Sequence, residues 1–169
     1  MTRRLAKLSQ EAYKDKIELK GYDSKFIEDK DTDTQCHILH DEGEVYIIFR
    51  GTESFTDWAN NLKVKFNEEG IHSGFNKAYN SVRYKIMSHL NDIDYRFKSI
   101  LVAGHSRGGA LAVICAHRLK HVTRVATFGS PMVGDKDFHK AYQRHDRTFR
   151  WENYLDFVTR LPSDKAGYK

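Results

Sequence analysis

The segment that most constrains the fold runs from Leu101 to Ala112 and has the pattern of a buried strand, a tight turn and a packed helix. Its centre, Gly104-His-Ser-Arg-Gly108, has the spacing G-x-S-x-G, in which the serine occupies the apex of a strand-to-helix turn. Glycine is favoured on both sides because such a turn holds the serine in a strained backbone state with little room beside it. The pattern predicts that Ser106 stands above the end of a sheet as a nucleophile.

The residues around this turn favour that interpretation over an ordinary strand-to-helix turn, which five residues alone do not exclude. Residues 99 to 103 form a short, almost wholly apolar run, as expected of a parallel strand buried on both faces. Residues 110 to 116 are apolar nearly all round, as expected of a helix packed on a sheet. The backbone amide of Arg107, at the start of that helix, is predicted to supply half of an oxyanion hole.

Length and composition are typical of a soluble globular protein. The 169 residues are enough for one domain, which we expect to span 1–169, and no apolar run approaches the ~18 residues of a membrane helix. The basic N-terminus has no apolar stretch behind it, so no secretory signal is predicted. We therefore expect the chain to stay in the cytoplasm where it is made, unless a leader has been removed.

Charge and cysteine usage exclude several other functions. The net charge of +5 is scattered rather than concentrated in a basic block, which favours a solvated surface over nucleic-acid binding. Cys36 is predicted in a strand and Cys115 in a helix, and two cysteines build no disulfide framework. We expect neither a cofactor nor a metal.

The rest of the chain alternates between helical and β patterns. Apolar spacing and turn residues predict a helix followed by irregular chain within 3–20, and then a hairpin of 32–40 and 44–49 around the Asp41-Glu-Gly43 turn. They next predict a helix from Phe75 to Leu90 and a strand at 122–128. After these come a helix with Phe138, Ala141, Tyr142 and His145 on one face and a strand from Arg147, in which Phe149 and Trp151 occupy alternate positions.

Two further segments are predicted to lie beside the serine. Arg50-Gly-Thr52 follows the second hairpin strand, at the strand end where ligands bind in open α/β sheets, so Thr52 is predicted to supply the second oxyanion donor. Phe55 and Trp58 are three residues apart and share a helical face, which would suit a lid over an apolar pocket. Equally, Trp58 could simply fill the core.

Asp156 ends the last predicted strand of the chain. A carboxylate at this place is where the acid of a catalytic triad belongs, because it must reach a histidine near Ser106. A lone aspartate in a loop also serves as a helix cap or turn residue. The functional interpretation rests on position.

These motifs together resemble the class 3 lipases, the family of the filamentous-fungal triacylglycerol lipases, which has an α/β-hydrolase fold with a mostly parallel sheet flanked by helices. The resemblance implies that Ser106 is the nucleophile, that Thr52 and Arg107 form the oxyanion hole, that the stretch after Thr52 is the lid and that Asp156 is the triad acid. The motifs that carry it, in order along nearly the whole chain, are Leu5–Ser9 with Ala12-Tyr13, Phe49–Thr52 with Trp58, His72–Phe75, Gly104–Ala112, Thr127–Pro131 with Val133–Asp135, and Asp156–Pro162.

The activity that the resemblance implies is hydrolysis of lipid carboxylic esters through an acyl-enzyme, with transient contact between the lid and a lipid surface. The alternative is a non-catalytic protein of the same fold that binds lipids or acyl groups.

Two departures from the family pattern matter. Arg107 stands where the family usually has leucine, and a charged side chain beside the pocket is expected to alter the choice of substrate. No histidine follows Asp156, whereas the catalytic histidine of the family does, and all nine histidines lie upstream. His72 is the best-placed substitute base, although loop histidines more often have structural roles. Loss of the base is expected to lower activity on the order of 10⁴-fold.

Three explanations fit the missing histidine, and the sequence does not decide among them. The chain is a truncated or frameshifted form of a longer lipase, a short natural variant with a rearranged base, or a lipid or acyl binder. In each case the sheet is expected to lack its C-terminal strand and helix and to expose an open edge. Self-association, or a partner along that edge, is the expected consequence.

Overall fold

The computed structural model describes residues 1–52, 65–152 and 159. In this part of the chain six strands form one sheet in sequence order. The strands are β1 (Asp23–Asp29), β2 (Thr34–His40), β3 (Glu44–Phe49), β4 (Ser99–His105), β5 (Val122–Phe128) and β6 (Thr148–Trp151). The helices are α1 (Thr2–Glu11), α2 (Ser73–Asp92), α3 (Arg107–Arg118) and α4 (Lys136–Ala141), with short 3-10 turns at Tyr95–Phe97 and His145–Arg147.

The sheet changes from antiparallel to parallel at β3. Strands β1, β2 and β3 pair antiparallel, whereas β3 to β6 pair parallel. Parallel neighbours need crossover connections, and α2, α3 and α4 lie in those connections. Phe49 pairs with Gly104, and His105 pairs with Phe128, so the carboxyl ends of three strands meet beside the predicted turn. The predicted mostly parallel sheet flanked by helices is confirmed.

Both faces of the sheet are covered by helices. One face packs against α2 and α3 in a core that includes Ile47 and Val102, and the other packs against α1 in a core that includes Ile48 and Ala103. Successive residues of a strand point to opposite faces, so β4 must be apolar throughout to be buried on both. Residues 100 to 103 are at most 1% exposed, which confirms the strand predicted there.

The structure differs from the sequence prediction at two elements. The mostly polar residues of β1 were not predicted as a strand; they pair along β2 at one edge of the sheet, and Ile27 is the one buried residue among them. The single helix predicted through Tyr142 and His145 is wrong at its C-terminal end, because α4 stops at Ala141. Tyr142 takes an extended backbone, and its hydroxyl lies 2.7 Å from Thr148 Oγ1 at the start of β6. That contact keeps the ring buried after the helix has ended.

Both cysteines lie where they were predicted, and both are free and buried. Burial raises the pKa of the Cys115 thiol to about 12, which makes this thiol a poor nucleophile at neutral pH. None of the helices that the structure describes is long and apolar enough to cross a membrane.

Acidification is expected to destabilise the fold because His37 is buried and His117 is half-buried, and this burial favours the neutral form of both rings. His37 packs on Phe26 with ring centroids 4.8 Å apart, and His117 packs on Phe138 at 5.1 Å. Burial lowers the pKa of both rings below the ordinary value of 6.5. The unfolded chain therefore binds more protons, so this part of the unfolding free energy is present above about pH 6.5 and is lost as the pH falls toward the lowered pKa values.

Denaturant unfolding at several pH values between 7.5 and 5 measures this loss. The variant His37→Phe removes one of the two groups, so its unfolding free energy should fall less steeply over the same range. A slope equal to that of the wild type would show that His37 does not contribute.

Candidate active site

The predicted turn is formed, with Ser106 at its apex between β4 and α3. Its backbone angles are φ 53° and ψ −128°, a combination that costs a residue other than glycine about 1–3 kcal/mol. Hydrogen bonds hold both sides of the turn: the Ser106 amide donates to the Phe128 carbonyl at 2.8 Å, and the Gly109 amide donates to the Ser106 carbonyl at 2.9 Å. The serine is therefore kept in a strained conformation by its neighbours.

Close backbone contacts explain the two glycines of the motif. A Cβ atom at Gly104 would overlap the carbonyl group of Gly108. A Cβ atom at Gly108 would overlap the carbonyl oxygen of Phe49 and would lie 2.8 Å from that of Arg50. The first turn of α3 thus packs directly on β4 and on the end of β3. Any side chain at either glycine would push the helix away from the strands.

The serine hydroxyl is buried and unsatisfied. Ser106 is 4% exposed, and its Oγ atom has no hydrogen-bond partner among the described residues. A buried hydroxyl without a partner costs about 1–3 kcal/mol, and a catalytic role is one of the explanations for such a group. Backbone strain and an unsatisfied hydroxyl therefore coincide at the residue that the motif predicts as the nucleophile.

The two predicted oxyanion donors line one cavity. Thr52, just after β3, and Arg107, the first residue of α3, border a cavity of about 350 Å³, which we call the Thr52 cavity. The remaining walls come from the first turns of α2 and from the turn between β1 and β2. Ser106 is not among the residues that line this cavity, but it directly precedes Arg107 in the chain. The structure therefore brings the candidate nucleophile and both candidate donors to the same end of the sheet.

The Arg107 side chain turns away from solvent and contacts the turn between β1 and β2. Its guanidinium group donates to the carbonyl oxygens of Thr32 and Asp33 and to Thr34 Oγ1, at 2.7, 2.8 and 3.0 Å. The residue is 8% exposed, and this burial lowers the pKa of the guanidinium group. The sequence predicted the backbone amide in the oxyanion hole and an effect of the side chain on the choice of substrate, but it did not predict these contacts; the effect on substrate choice stays a prediction. The only signal was an arginine where the family usually has leucine.

His72 serves as the N-cap of α2. Its Nδ1 atom accepts hydrogen bonds from the amides of Gly74 at 3.1 Å and Phe75 at 3.3 Å. A neutral ring that accepts at Nδ1 carries its proton on Nε2. To act as a base through Nε2, the ring would have to change tautomer and give up both capping bonds. This geometry favours a structural role for His72.

A second contact that sequence reasoning missed joins α1 to the elbow. The Tyr13 hydroxyl lies 2.8 Å from Nδ1 of His105, the residue that precedes the serine. Tyr13 also stacks under the guanidinium group of Arg50, 5.8 Å from the ring centroid. Tyr13 therefore connects the chain after α1 with the ends of β3 and β4.

Three of the predicted site residues lie outside the described residues: Asp156, Phe55 and Trp58. Their roles as triad acid and lid stay predictions. Within the described part of the chain, no group of three or more histidine, cysteine, aspartate or glutamate side chains is placed to hold a metal ion.

A mostly parallel sheet with a strained serine at a strand-to-helix turn defines the α/β-hydrolase class. Comparison with known proteins narrows the class to one family. Residues 46–166 match the family model described as Lipase (class 3), and the chain belongs to this family.

The most similar relatives include two lipases. A lipase of Caenorhabditis elegans is 31% identical over 135 residues, which cover 70% of this chain and 38% of that protein. The lipase of Rhizomucor miehei is 28% identical over 155 residues, which cover 80% of this chain and 43% of that protein. The chain therefore spans less than half the length of either relative.

Solved structures confirm the fold. Lipase II from Rhizopus niveus superposes with a TM-score of 0.84 at 20% identity, covering 99% of this chain and 76% of that chain. The lipase from Rhizopus microsporus var. chinensis superposes with a TM-score of 0.75 at 27% identity, covering 86% of this chain and 58% of that chain.

Proposed function

We propose that this chain carries the nucleophile of a lipase and hydrolyses carboxylic esters of lipids through an acyl-enzyme on Ser106. One observation carries the proposal: the serine is buried and strained, its hydroxyl has no partner among the described residues, and it directly precedes Arg107, which lines a cavity together with Thr52. Membership of the class 3 lipases supports the same reaction.

In the proposed reaction, Ser106 Oγ attacks the ester carbonyl carbon, and the electron pair of the carbonyl bond moves to its oxygen. The Arg107 amide, at the N-terminus of α3, and Thr52 stabilise the resulting oxyanion. A general base takes the hydroxyl proton and gives it to the departing alcohol, and water then releases the fatty acid by the reverse steps. Asp156 is proposed to orient the base.

The identity of the base is the open element of this proposal. Within the described residues no histidine is hydrogen-bonded to the Ser106 hydroxyl. His72 as the substitute base stays a prediction, and its capping bonds to α2 argue against it. Weak activity of the 169-residue chain also stays a prediction. His72→Asn preserves a capping side chain, so an unchanged rate in this variant would exclude His72 as the base.

Because no base among the described residues is hydrogen-bonded to the serine hydroxyl, the second candidate function is a lipid or acyl binder without turnover. The hydrolase and the binder are distinguished by incubating the purified chain with an emulsified diacylglycerol and measuring both released fatty acid and protein bound to the emulsion. Release above the buffer rate supports the hydrolase. Binding without release would support the binder and overturn the hydrolase.

We further propose that Phe55 and Trp58 belong to a lid that opens at a lipid surface. Two aromatic side chains on one helical face would expose apolar area on opening, which a lipid surface can cover. The test measures the fluorescence of Trp58 in a Trp151→Phe background, where it is the only tryptophan. Addition of liposomes is expected to shift its emission to shorter wavelength. No change on addition would favour the alternative in which Trp58 fills the core.

Self-association along the sheet edge stays a prediction as well. Its support is that β6 is the last strand in the described sheet, and that Phe149 and Trp151 are 39% and 51% exposed on it. Sedimentation velocity over a range of protein concentrations tests it, with Trp151→Lys as the variant expected to be less associated.

A further inference from the structure

The Arg107 guanidinium group joins the elbow to a distant turn. Arg107 begins α3, and its three hydrogen bonds end on the turn that connects β1 to β2 and on the first residue of β2, more than 70 positions earlier in the chain. The three acceptors are two backbone carbonyl oxygens and one hydroxyl oxygen, all uncharged. Arginine can make such a forked set of bonds because its donors lie in one rigid plane.

The turn that receives these bonds is itself firmly held. Asp33 in this turn has a positive φ of 48°, and Asp29 Oδ1 accepts from both the amide and the hydroxyl group of Thr32, at 3.0 and 2.7 Å. Thr32 Oγ1 also lies 2.7 Å from Ser81 Oγ of α2. The turn is thereby connected to the largest helix of the described core. It offers Arg107 a rigid anchor rather than a mobile loop.

We propose that the Arg107 side chain is a positioning group for the oxyanion hole, an inference that rests on the proposed function. By anchoring the first residue of α3 to the turn between β1 and β2, it fixes the direction of the Arg107 backbone amide. Thr32, Asp33 and Thr52 line the same cavity as Arg107, so the anchor and the second donor border one cavity. The side chain acts through its own amide and does not contact the reacting atoms.

The effect on rate follows from the sensitivity of an oxyanion hole to geometry. Removal of one donor from such a hole lowers kcat by about 10²–10³-fold. A donor that points in a wrong direction should still supply part of its contribution to kcat. We therefore expect Arg107→Leu to lower kcat by about 10- to 100-fold with little change in KM. Leucine is the residue that the family usually has here, so the variant is compatible with the fold.

Two companion variants separate the anchor from other roles of arginine. Arg107→Lys keeps the positive charge but loses the fork, and is expected to recover only part of the lost rate. Thr34→Val leaves the arginine in place and removes one of its three acceptors. It is expected to lower kcat as well, by a smaller factor than Arg107→Leu. Full recovery by lysine would show that charge alone matters and would overturn the proposal.

A readout independent of turnover is hydrogen exchange at the Gly109 amide, which donates to the Ser106 carbonyl within the elbow. Loosening of the first turn in Arg107→Leu should speed this exchange at least about 10-fold, while the amides of β4 stay protected. If the Gly109 amide of Arg107→Leu exchanges at the wild-type rate, the proposed anchoring role of the side chain is overturned, and this result does not require that the chain be active. An unchanged kcat in a folded Arg107→Leu variant would overturn the positioning role while leaving the hydrolase proposal intact.

Discussion

Replacement of Ser106 by alanine is expected to lower ester hydrolysis by at least about 10³-fold if a general base activates the serine, and to leave the weak rate of a chain without that base unchanged. The hydroxyl is the only group that the substitution removes. In a covalent mechanism the reaction then loses its nucleophile and keeps only the contribution of the oxyanion hole and of binding. The measurement is kcat/KM for a soluble short-chain ester, which avoids effects of a lipid surface. Activity within a few-fold of the wild type would show that the hydrolysis does not pass through Ser106.

The same substitution should not weaken the fold, which separates chemistry from stability. Alanine removes a buried hydroxyl that no described residue satisfies, so the unfolding free energy should stay the same or rise. Ser106→Gly removes the hydroxyl and also relieves the strain at a φ of 53°, so it is expected to be inactive and more stable than the wild type by about 1 kcal/mol. If Ser106→Gly is less stable than Ser106→Ala, the backbone of the elbow is not strained.

Substitution of Gly104 by alanine is expected to have the largest effect on stability. Its Cβ atom would overlap the backbone carbonyl of Gly108, and backbone atoms in a packed elbow have no room to withdraw. We expect the unfolding free energy to fall by about 3 kcal/mol or more, which corresponds to a fall in Tm of roughly 6–12 °C for a chain of this size.

Gly43→Ala is the matched control for that substitution. A Cβ atom at Gly43 would meet only Asp41 Oδ1 at 3.9 Å, which is ordinary van der Waals contact. Thermal unfolding should therefore show a large difference between the two alanine variants. Similar Tm values would mean that α3 does not pack on β4 as closely as the structure shows.

The central elements of this fold could be predicted from the sequence because their signals are local. The apolar run of β4 and the apolar stripe of α2 each lie within one continuous segment of the sequence, and both were predicted. The edge strand β1 was missed because Phe26 and Ile27 are its only apolar residues, and two adjacent residues make no alternating pattern. The end of α4 was misplaced because a contact between Tyr142 and Thr148 decides it, not helix propensity.

The candidate site shows the same division. Ser106 was found because the elbow requires glycines at fixed positions, and the structure gives their reason in the contacts of Gly104 and Gly108. The anchor of Arg107 was not predictable, since its partners lie in a turn whose proximity only the folded chain creates.

The most direct test of the central claim is the site of attachment of a fluorophosphonate probe, which forms a covalent bond with an activated serine. Mass spectrometry of the digested protein should find one adduct, on the peptide that contains Ser106. The adduct should be absent from Ser106→Ala and from protein unfolded before the probe is added. Equal labelling of the wild type and Ser106→Ala would contradict the assignment of Ser106 as the nucleophile, and a folded wild type that takes up no probe would show that no base activates this serine.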